Sequence, residues 1–251
     1  MGLALLRGWL DAGMNASFVV IEPSLRHKIK GATFLKKPNN ELKTCDIIVI
    51  AVKPQVADEV CTGLKPYIKK DALILSIAAG RSIKSFEKIF GAAQPIIRSM
   101  PNLPASIGQG ITVAVANKNV KAAQKKSAAE LLACAGLVEW TENEKLLNAV
   151  TAVSGSGPAY VFLLIEVLSK SAQKAGLNKK ISDILARQTV IGSAALAAHE
   201  PKIDAATLRK NVTSPGGTTE AALDILMNGD MQKIFDYAIA SAKKRGEELN
   251  S

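Results

Sequence analysis

The stretch Asp46-Ile47-Ile48-Val49-Ile50-Ala51-Val52-Lys53-Pro54 decides the fold class. It is a continuous apolar, largely β-branched run with no polar alternation, which a strand needs when both of its faces are covered. That is the signature of a parallel strand between layers of helices. Working outward, Phe18–Ile21, Thr33–Leu35, Leu73–Ala78, Pro95–Ser99, Ile111–Ala116 and Val138–Thr141 read as further strands. Gly2–Ala12, Gln55–Leu64, Ile83–Phe90 and Asn119–Ala135 carry helical spacing between them. Strands alternating with helices predict an open, mostly parallel, doubly wound α/β sheet with right-handed crossovers. In such sheets ligands sit beyond the carboxyl ends of strands. The loops in that position are Lys53-Pro54, Ala79-Gly80-Arg81 and Met100-Pro101-Asn102.

The chain opens with the helix that places Leu3, Leu6, Trp9 and Leu10 on one face. A doubly wound domain is expected to start with a strand and a glycine-rich turn before that helix. Only Met1-Gly2 stands there, so Gly2 reads as the last glycine of a G-x-G-x-x-G loop. Its strand is then either encoded ahead of a miscalled start or truly absent. The first option is favoured, because a missing central strand leaves flanking backbone groups unpaired.

Near Glu142 the composition changes, and no strand signal follows. Glu144–Val153, Pro158–Ala175, Lys179–His199, Ala205–Lys210, Thr219–Asn228 and Met231–Leu249 all fit helices. The predicted division is residues 1–142 and an all-helical 143–251. Pro158–Ala175 and Lys179–His199 are apolar on more than one face, and such helices need cover all round. A partner subunit is the expected cover.

Composition excludes several classes. The 251 residues are 48% hydrophobic and 4% aromatic, with a formal net charge of +10. The lysines are scattered in pairs (Lys69-Lys70, Lys125-Lys126, Lys179-Lys180, Lys243-Lys244) with no interleaved aromatics, so a solvated surface is expected and no nucleic-acid face. Cys45, Cys61 and Cys134 are far apart and read as reduced core thiols of a cytoplasmic protein, with no metal-ligand spacing. Two histidines argue against a histidine triad or a zinc site. Ile47–Val52 and Ala159–Leu168, which carries Glu166, are too short to span a membrane, and none is expected.

The run Asn211-Val212-Thr213-Ser214-Pro215-Gly216-Gly217-Thr218-Thr219 precedes the apolar helical pattern Ala221, Ala222, Leu223, Ile225, Leu226. Proline and paired glycines make a tight turn, and the helix behind it offers free N–H groups and a positive dipole end. Hydroxyls from Ser214, Thr218 and Thr219 surround it. The turn reads as a cradle for a carboxylate or phosphate, with an ordinary capped helix start as the alternative.

Four motifs in this order carry a family resemblance: Ala51-Val52-Lys53-Pro54, Met100-Pro101-Asn102, Ser154-Gly155-Ser156-Gly157-Pro158-Ala159-Tyr160, and Ser214-Pro215-Gly216-Gly217-Thr218-Thr219. Over essentially its whole length the chain resembles the pyrroline-5-carboxylate reductases, the last enzymes of proline biosynthesis. The resemblance implies a Rossmann-like dinucleotide-binding domain, a helical substrate-binding and dimerisation domain, and hydride transfer from NADPH or NADH to a cyclic imine. It implies cofactor contacts at Gly2, Asn39, Ala51, Val52, Lys53, Pro54, Ala78, Ala79, Gly80 and Asn211. Ser214, Gly216, Gly217, Thr218 and Thr219 become the substrate-carboxylate cradle, with Thr219 and Ser214 as the catalytic candidates. A homodimer or higher homo-oligomer through the helical half is implied as well.

The chemistry suits these residue types. Imine reduction needs a hydride on carbon and a proton on nitrogen, and solvent can protonate a cyclic imine near neutral pH. Positioning is then the main task, for which hydroxyls and backbone amides suffice. Lys53 is read equally as a phosphate ligand or a strand-end residue, and Ser154–Tyr160 as a structural elbow or a substrate contact. Glu22 at the end of Phe18–Ile21 favours NAD, whereas Ser24 and Arg26 could hold a 2′-phosphate; NADPH is the expected cofactor and NADH the alternative. Competing readings are a truncated, non-catalytic paralogue that only oligomerises, and another NAD(P)-dependent reductase on the same two-domain plan.

Overall fold

The structure, a computed structural model, describes residues 1–24 and 29–250. The first half alternates as expected: α1 (Gly2–Asp11), β1 (Phe18–Ile21), β2 (Ala32–Leu35), β3 (Ile47–Ile50), α2 (Ala57–Leu64), β4 (Leu73–Ser76), α3 (Ile83–Phe90), β5 (Ile96–Pro101), β6 (Gly110–Ala116), α4 (Ala122–Ala133) and β7 (Gly136–Trp140). Strands β3-β4-β5-β6-β7 form one sheet in that order, and β1 and β2 form a separate parallel pair. All pairings are parallel except β5 with β6.

The second half is helical: α5 (Leu146–Val150), α6 (Gly157–Lys174), α7 (Lys179–His199), α8 (Ala205–Asn211), α9 (Thr218–Leu226) and α10 (Asp230–Asn250). By packing, the chain forms two compact units. One comprises residues 1–155 with the end of α10 from Ala242 onward, and the other Ser156–Ser241. The change of composition near Glu142 lies inside the first unit.

Two apolar layers enclose the sheet of the first unit. On one side Leu5, Leu6 and Trp9 of α1 pack with Leu73, Leu75, Ile97 and Leu132. On the other, Ile48, Ile50, Ile74, Ile96, Phe86 and Leu147 meet. Trp9 anchors α1 twice, donating Nε1–H to the Leu131 carbonyl at 2.7 Å and stacking on Phe18 with ring centroids 5.6 Å apart.

Several boundaries moved for identifiable reasons. β3 stops at Ile50 because its ladder with β4 ends at Ser76, so Ala51 and Val52 lie beyond the strand. Met100 and Pro101 are the end of β5 and not a loop; Pro101 pairs opposite Thr112 at the strand's last position, where a missing donor is tolerated. α4 begins at Ala122 and not at Asn119. Asn119 and Asn117 spend their side chains on the Ala92 and Gln94 carbonyls and the Ile96 amide, the competition that keeps asparagine out of helix interiors. Gly136 opens β7 at φ +133°, where a Cβ would lie 2.0 Å from the Gly110 carbonyl oxygen.

The elbow at Ser154–Tyr160 is not a loop. α5 continues into a π-helical turn, Thr151–Gly155, and then into α6. Thr151 and Ser154 hydroxyls donate to the carbonyls four residues back, at 2.7 and 3.0 Å. The resulting helical run Leu146–Lys174 is, by length and composition, apolar enough to cross a membrane. The sequence reading weighed only Ala159–Leu168, a part of that run.

Candidate functional site

Of the residues assigned to the cofactor, Gly2, Ala51–Pro54 and Ala78–Gly80 lie in the first unit, the last two groups following strands β3 and β4. Helix α1 begins at Gly2 with no side-chain cap on its N-terminus. Its first turn uses the Met1 carbonyl for the Ala4 and Leu5 amides, so the Gly2 and Leu3 amides remain for a ligand. A Cβ on Gly2 would lie 2.9 Å from the Ala51 Cβ. Gly2 and Ala51, 49 positions apart in the sequence, are therefore brought into contact where β3 ends. Val52 follows, and Lys53 and Pro54 open a 3-10 turn leading into α2. Lys53 is exposed.

After β4 the chain passes through Ala78, Ala79 and Gly80. The Ala78 amide donates to Ser76 Oγ at 3.2 Å. Gly80 sits at φ +69°, and a Cβ there would lie 3.4 Å from the Leu249 carbonyl oxygen. The positive φ is what favours glycine there, since a Cβ at that distance would be in ordinary contact. The turn is held from behind by Glu144. Its Oε1 accepts from the Ile83 amide at the start of α3 and from Arg98 Nη1, each at 2.8 Å.

The remaining cofactor candidates differ. Asn39 is part of a local device: its Oδ1 accepts from the Glu41 amide at 2.9 Å and caps a 3-10 turn. Ser24 donates its hydroxyl to Glu22 Oε1 at 2.5 Å, and its amide donates to the same oxygen. The end of β1 thus presents a carboxylate already dressed by Ser24. Arg26 lies outside the described residues. Asn211 is the exposed last residue of α8, in the second unit and not with the others.

The substrate candidates form one compact turn in the second unit. Gly216 takes φ +69°, and Gly217 is the N-cap of α9 with no side-chain cap. The Gly217 amide donates to the Ser214 carbonyl at 3.0 Å. A Cβ on Gly217 would fall 2.9 Å from that carbonyl and 3.1 Å from Ser214 Oγ, so the turn closes only with glycine here. Thr218 and Thr219 occupy the first two positions of α9, whose amides point out of the helix end.

Glu220 is the acid in the first turn of α9. In the structure its Oε2 accepts from the Gly216 amide at 2.6 Å. One of the cradle's donors is thereby held by a carboxylate of the chain itself. The spacing of an N-cap residue and an acid three positions later is the sequence signal for such a contact. An open groove beside the turn is lined by Asp204, Thr207, Arg209, Lys210, Thr213 and Glu220. Arg209 and Lys210 place two cations there that motif reading passed over. Asp204 caps α8, accepting from the Thr207 amide at 2.8 Å, and those hydrogen bonds hold its carboxyl below the ordinary carboxylate range.

Among the described residues no group of three or more His, Cys, Asp or Glu side chains could hold a metal. The three cysteines are free thiols. Burial pushes the Cys61 thiol up to about 11, so it stays protonated and inert at neutral pH.

The helical unit turns its apolar residues outward. Where α6 and α7 meet, the buried positions are small or polar: Ser169, Ser182 and Ala186. Ser169 Oγ donates to Asp183 at 2.6 Å. Phe162 and Leu163 on α6, Ile184 and Leu185 on α7, and Ile234 and Phe235 on α10 are exposed.

Comparisons with known proteins bear on both units. A family model described as pyrroline-5-carboxylate reductase dimerisation matches residues 144–249. One described as NADP oxidoreductase, coenzyme F420-dependent, matches residues 1–80. A pyrroline-5-carboxylate reductase of Pseudomonas aeruginosa is 41% identical over 204 residues, covering 81% of this chain and 74% of the relative. That of Haemophilus influenzae is 33% identical over 257 residues, covering 100% of this chain and 94% of the relative. Among solved structures, a pyrroline-5-carboxylate reductase from Coxiella burnetii superposes with a TM-score of 0.92 at 34% identity, covering 100% of this chain and 95% of that one. The Plasmodium falciparum pyrroline carboxylate reductase with NADP bound gives 0.82 at 32% identity, with the same coverage.

Proposed function

The chain belongs to the pyrroline-5-carboxylate reductase family, and from that premise we infer that it reduces the cyclic imine of 1-pyrroline-5-carboxylate to L-proline with NAD(P)H. The observation that carries the substrate half is the Ser214–Thr219 turn at the N-terminus of α9. It is an anion cradle of backbone amides and hydroxyls beside a groove bearing Arg209 and Lys210.

The residues of the first unit fit a dinucleotide. The contact of Gly2 with Ala51 leaves room only for backbone, and the uncapped amides of α1 face outward there. Gly2 and Leu3 would hold phosphate oxygens, and Ala51–Pro54 and Ala78–Gly80 would lie along the rest. NAD(P)H, when bound, supplies the hydride that the imine carbon receives. NADPH is the proposed cofactor and NADH the alternative. The NADP oxidoreductase match and the NADP-bound relative support the first, while the Glu22 carboxylate at the end of β1 supports the second.

In the second unit the Thr218 and Thr219 amides hold the substrate carboxylate, displacing the Glu220 carboxylate from its share of the cradle. Ser214 Oγ adds a donor. The Thr219 hydroxyl orients the ring nitrogen and relays its proton. The C=N bond becomes C–N as the carbon gains the hydride and the nitrogen keeps the proton, so no strong protein acid is required.

The outward apolar faces of α6, α7 and α10 support a homodimer or larger homo-oligomer through this unit. The same dimerisation match, and the relatives over its full length, favour a subunit interface over a membrane for Leu146–Lys174. Three free thiols fit a reducing, cytoplasmic setting. The test is imine-dependent oxidation of NADPH and NADH with proline as product. Failure to form proline in both the 251-residue protein and a form extended ahead of Met1 would overturn the reading.

A further inference from the structure

The proposed carboxylate cradle already carries a carboxylate, and that carboxylate belongs to the chain. Glu220 is half-buried in the first turn of α9, and its Oε2 accepts from the Gly216 amide at 2.6 Å. Gly216 holds φ +69° next to the N-cap Gly217, whose own amide goes to the Ser214 carbonyl. An acid three positions past an N-cap ordinarily takes the N-cap amide. Here it takes the amide one residue earlier, on the turn itself. Such a bond to an ionised acceptor is stronger than one to a neutral oxygen. An incoming carboxylate therefore competes with Glu220 for the turn. The same side chain lines a groove with Arg209 and Lys210, the two exposed cations in the last turn of α8. Among the described residues the ion pairs of α6, α7 and early α10 are Lys170–Glu166, Lys179–Asp183 and Lys233–Asp230, and none takes Arg209 or Lys210. The other acid of the groove, Asp204, is engaged by the Thr207 amide and hydroxyl at 2.8 and 3.2 Å. Glu220 thus has two sets of partners along one groove, the Gly216 amide and the cations of α8.

We propose that Glu220 is a swinging positioning residue: it holds the Gly216 amide until a substrate carboxylate arrives, then moves to Arg209 and Lys210. The proposal rests on the reading of Ser214–Thr219 as the carboxylate site. While the Gly216 bond lasts, the turn is held in shape before binding, which lowers the cost of ordering it around a ligand. On displacement, the Glu220 carboxylate would stand as a like charge beside that of the ligand. Arg209 and Lys210 receive it and remove that repulsion. The two cations then raise substrate affinity through Glu220 and not by touching the substrate. A purely structural cap at Glu220 makes the opposite prediction, since its loss would weaken the turn and the binding with it.

A double-mutant cycle tests it, read by acetate titration of the Gly216 and Gly217 amide resonances and by the imine KM. Glu220→Gln keeps an oxygen for the Gly216 amide and removes the charge. It is expected to tighten acetate binding and lower the imine KM about fivefold, the difference between a charge-assisted and a neutral hydrogen bond. Arg209→Gln with Lys210→Gln is expected to weaken both about fivefold when Glu220 is present, and by less than about twofold in the Glu220→Gln background. Amide resonances of α7 report folding in every variant and stay in place. Weaker acetate binding in Glu220→Gln would overturn the proposal by leaving Glu220 only a capping role. An equal loss from the cation variants in both backgrounds would overturn it too, by showing that Arg209 and Lys210 act on the ligand directly. The expected acetate pattern without proline formation would count against the enzymatic reading alone. Proline formation with acetate binding and imine KM indifferent to Glu220→Gln would count against the swing alone.

Discussion

Removal of the Glu144 carboxylate is expected to destabilise the first unit and loosen the turn at Gly80. Arg98 is 7% exposed and Glu144 29% exposed, with Nη1 to Oε1 at 2.8 Å. Breaking a fully buried pair from one side costs roughly 3–5 kcal/mol. Water reaches the Glu144 side and replaces part of the carboxylate, so about 2 kcal/mol is expected for Glu144→Gln. Glutamine keeps an oxygen for the Ile83 amide, which Oε1 now accepts at 2.8 Å. Glu144→Ala loses that acceptor too, adding about 1 kcal/mol for an orphaned donor at the start of α3. Urea unfolding at one fixed protein concentration measures both, since association shifts apparent stability by mass action. Ile83 lies three residues past Gly80, so KM for the nicotinamide cofactor should rise in the order wild type, Gln, Ala, with the imine KM little changed. A loss below about 0.5 kcal/mol for Glu144→Ala, in the range of an exposed ion pair, would refute the reasoning. Equal losses for the two variants would refute the part assigned to Ile83.

Three further outcomes follow from the site. Thr219→Ala should lower kcat about 10- to 100-fold with little change in imine KM, the range for a lost positioning or proton-transfer group; an unchanged kcat would remove Thr219 from the chemistry, while Thr219→Ser should recover most of it. Gly217→Ala should raise the imine KM at least about tenfold, because its Cβ meets the Ser214 carbonyl at 2.9 Å and spreads the turn; normal KM would show that the turn is not the carboxylate site. The Asp204 carboxyl, held low by the Thr207 amide, supports α8 above the unfolded carboxylate value near 3.9. That support is lost as pH falls through its folded value. Amide exchange in α8 should therefore quicken on acidification below about pH 4, and Asp204→Asn should flatten the dependence.

Much of the fold was legible because it rests on local patterns. The run Ile47–Ile50 could only be a strand covered on both faces, and the helices read over Gly2–Ala12 and Pro158–Ala175 end with C-caps at Ala12 and Ala175. Where the sequence misled, a partner distant in the chain was responsible. Met100-Pro101 looked like a loop, yet β6 arrives antiparallel and extends β5 through it. Ser154–Tyr160 was read as a structural elbow or a substrate contact, yet the Thr151 and Ser154 hydroxyls, each bonded to the carbonyl four residues back, lie in one helical run. Within the site, the Ser-Pro-Gly-Gly-Thr-Thr turn was readable because proline, glycine and helix-start preferences are intrinsic to each residue. The Glu220 carboxylate on the Gly216 amide had only a general signal, an acid three positions past the N-cap, and which amide it takes depends on a side-chain choice.

By itself the sequence determined the alternation of elements, the break to an all-helical half, the family, and the chemical character of the cradle. Those follow from backbone preferences and apolar spacing, which act within a few residues. Only the tertiary structure decided that Gly2 meets Ala51, that Glu144 holds both Arg98 and the start of α3, and that β1 and β3 share two apolar layers without pairing. Each of these joins residues tens of positions apart, through packing that exists only once the layers have closed.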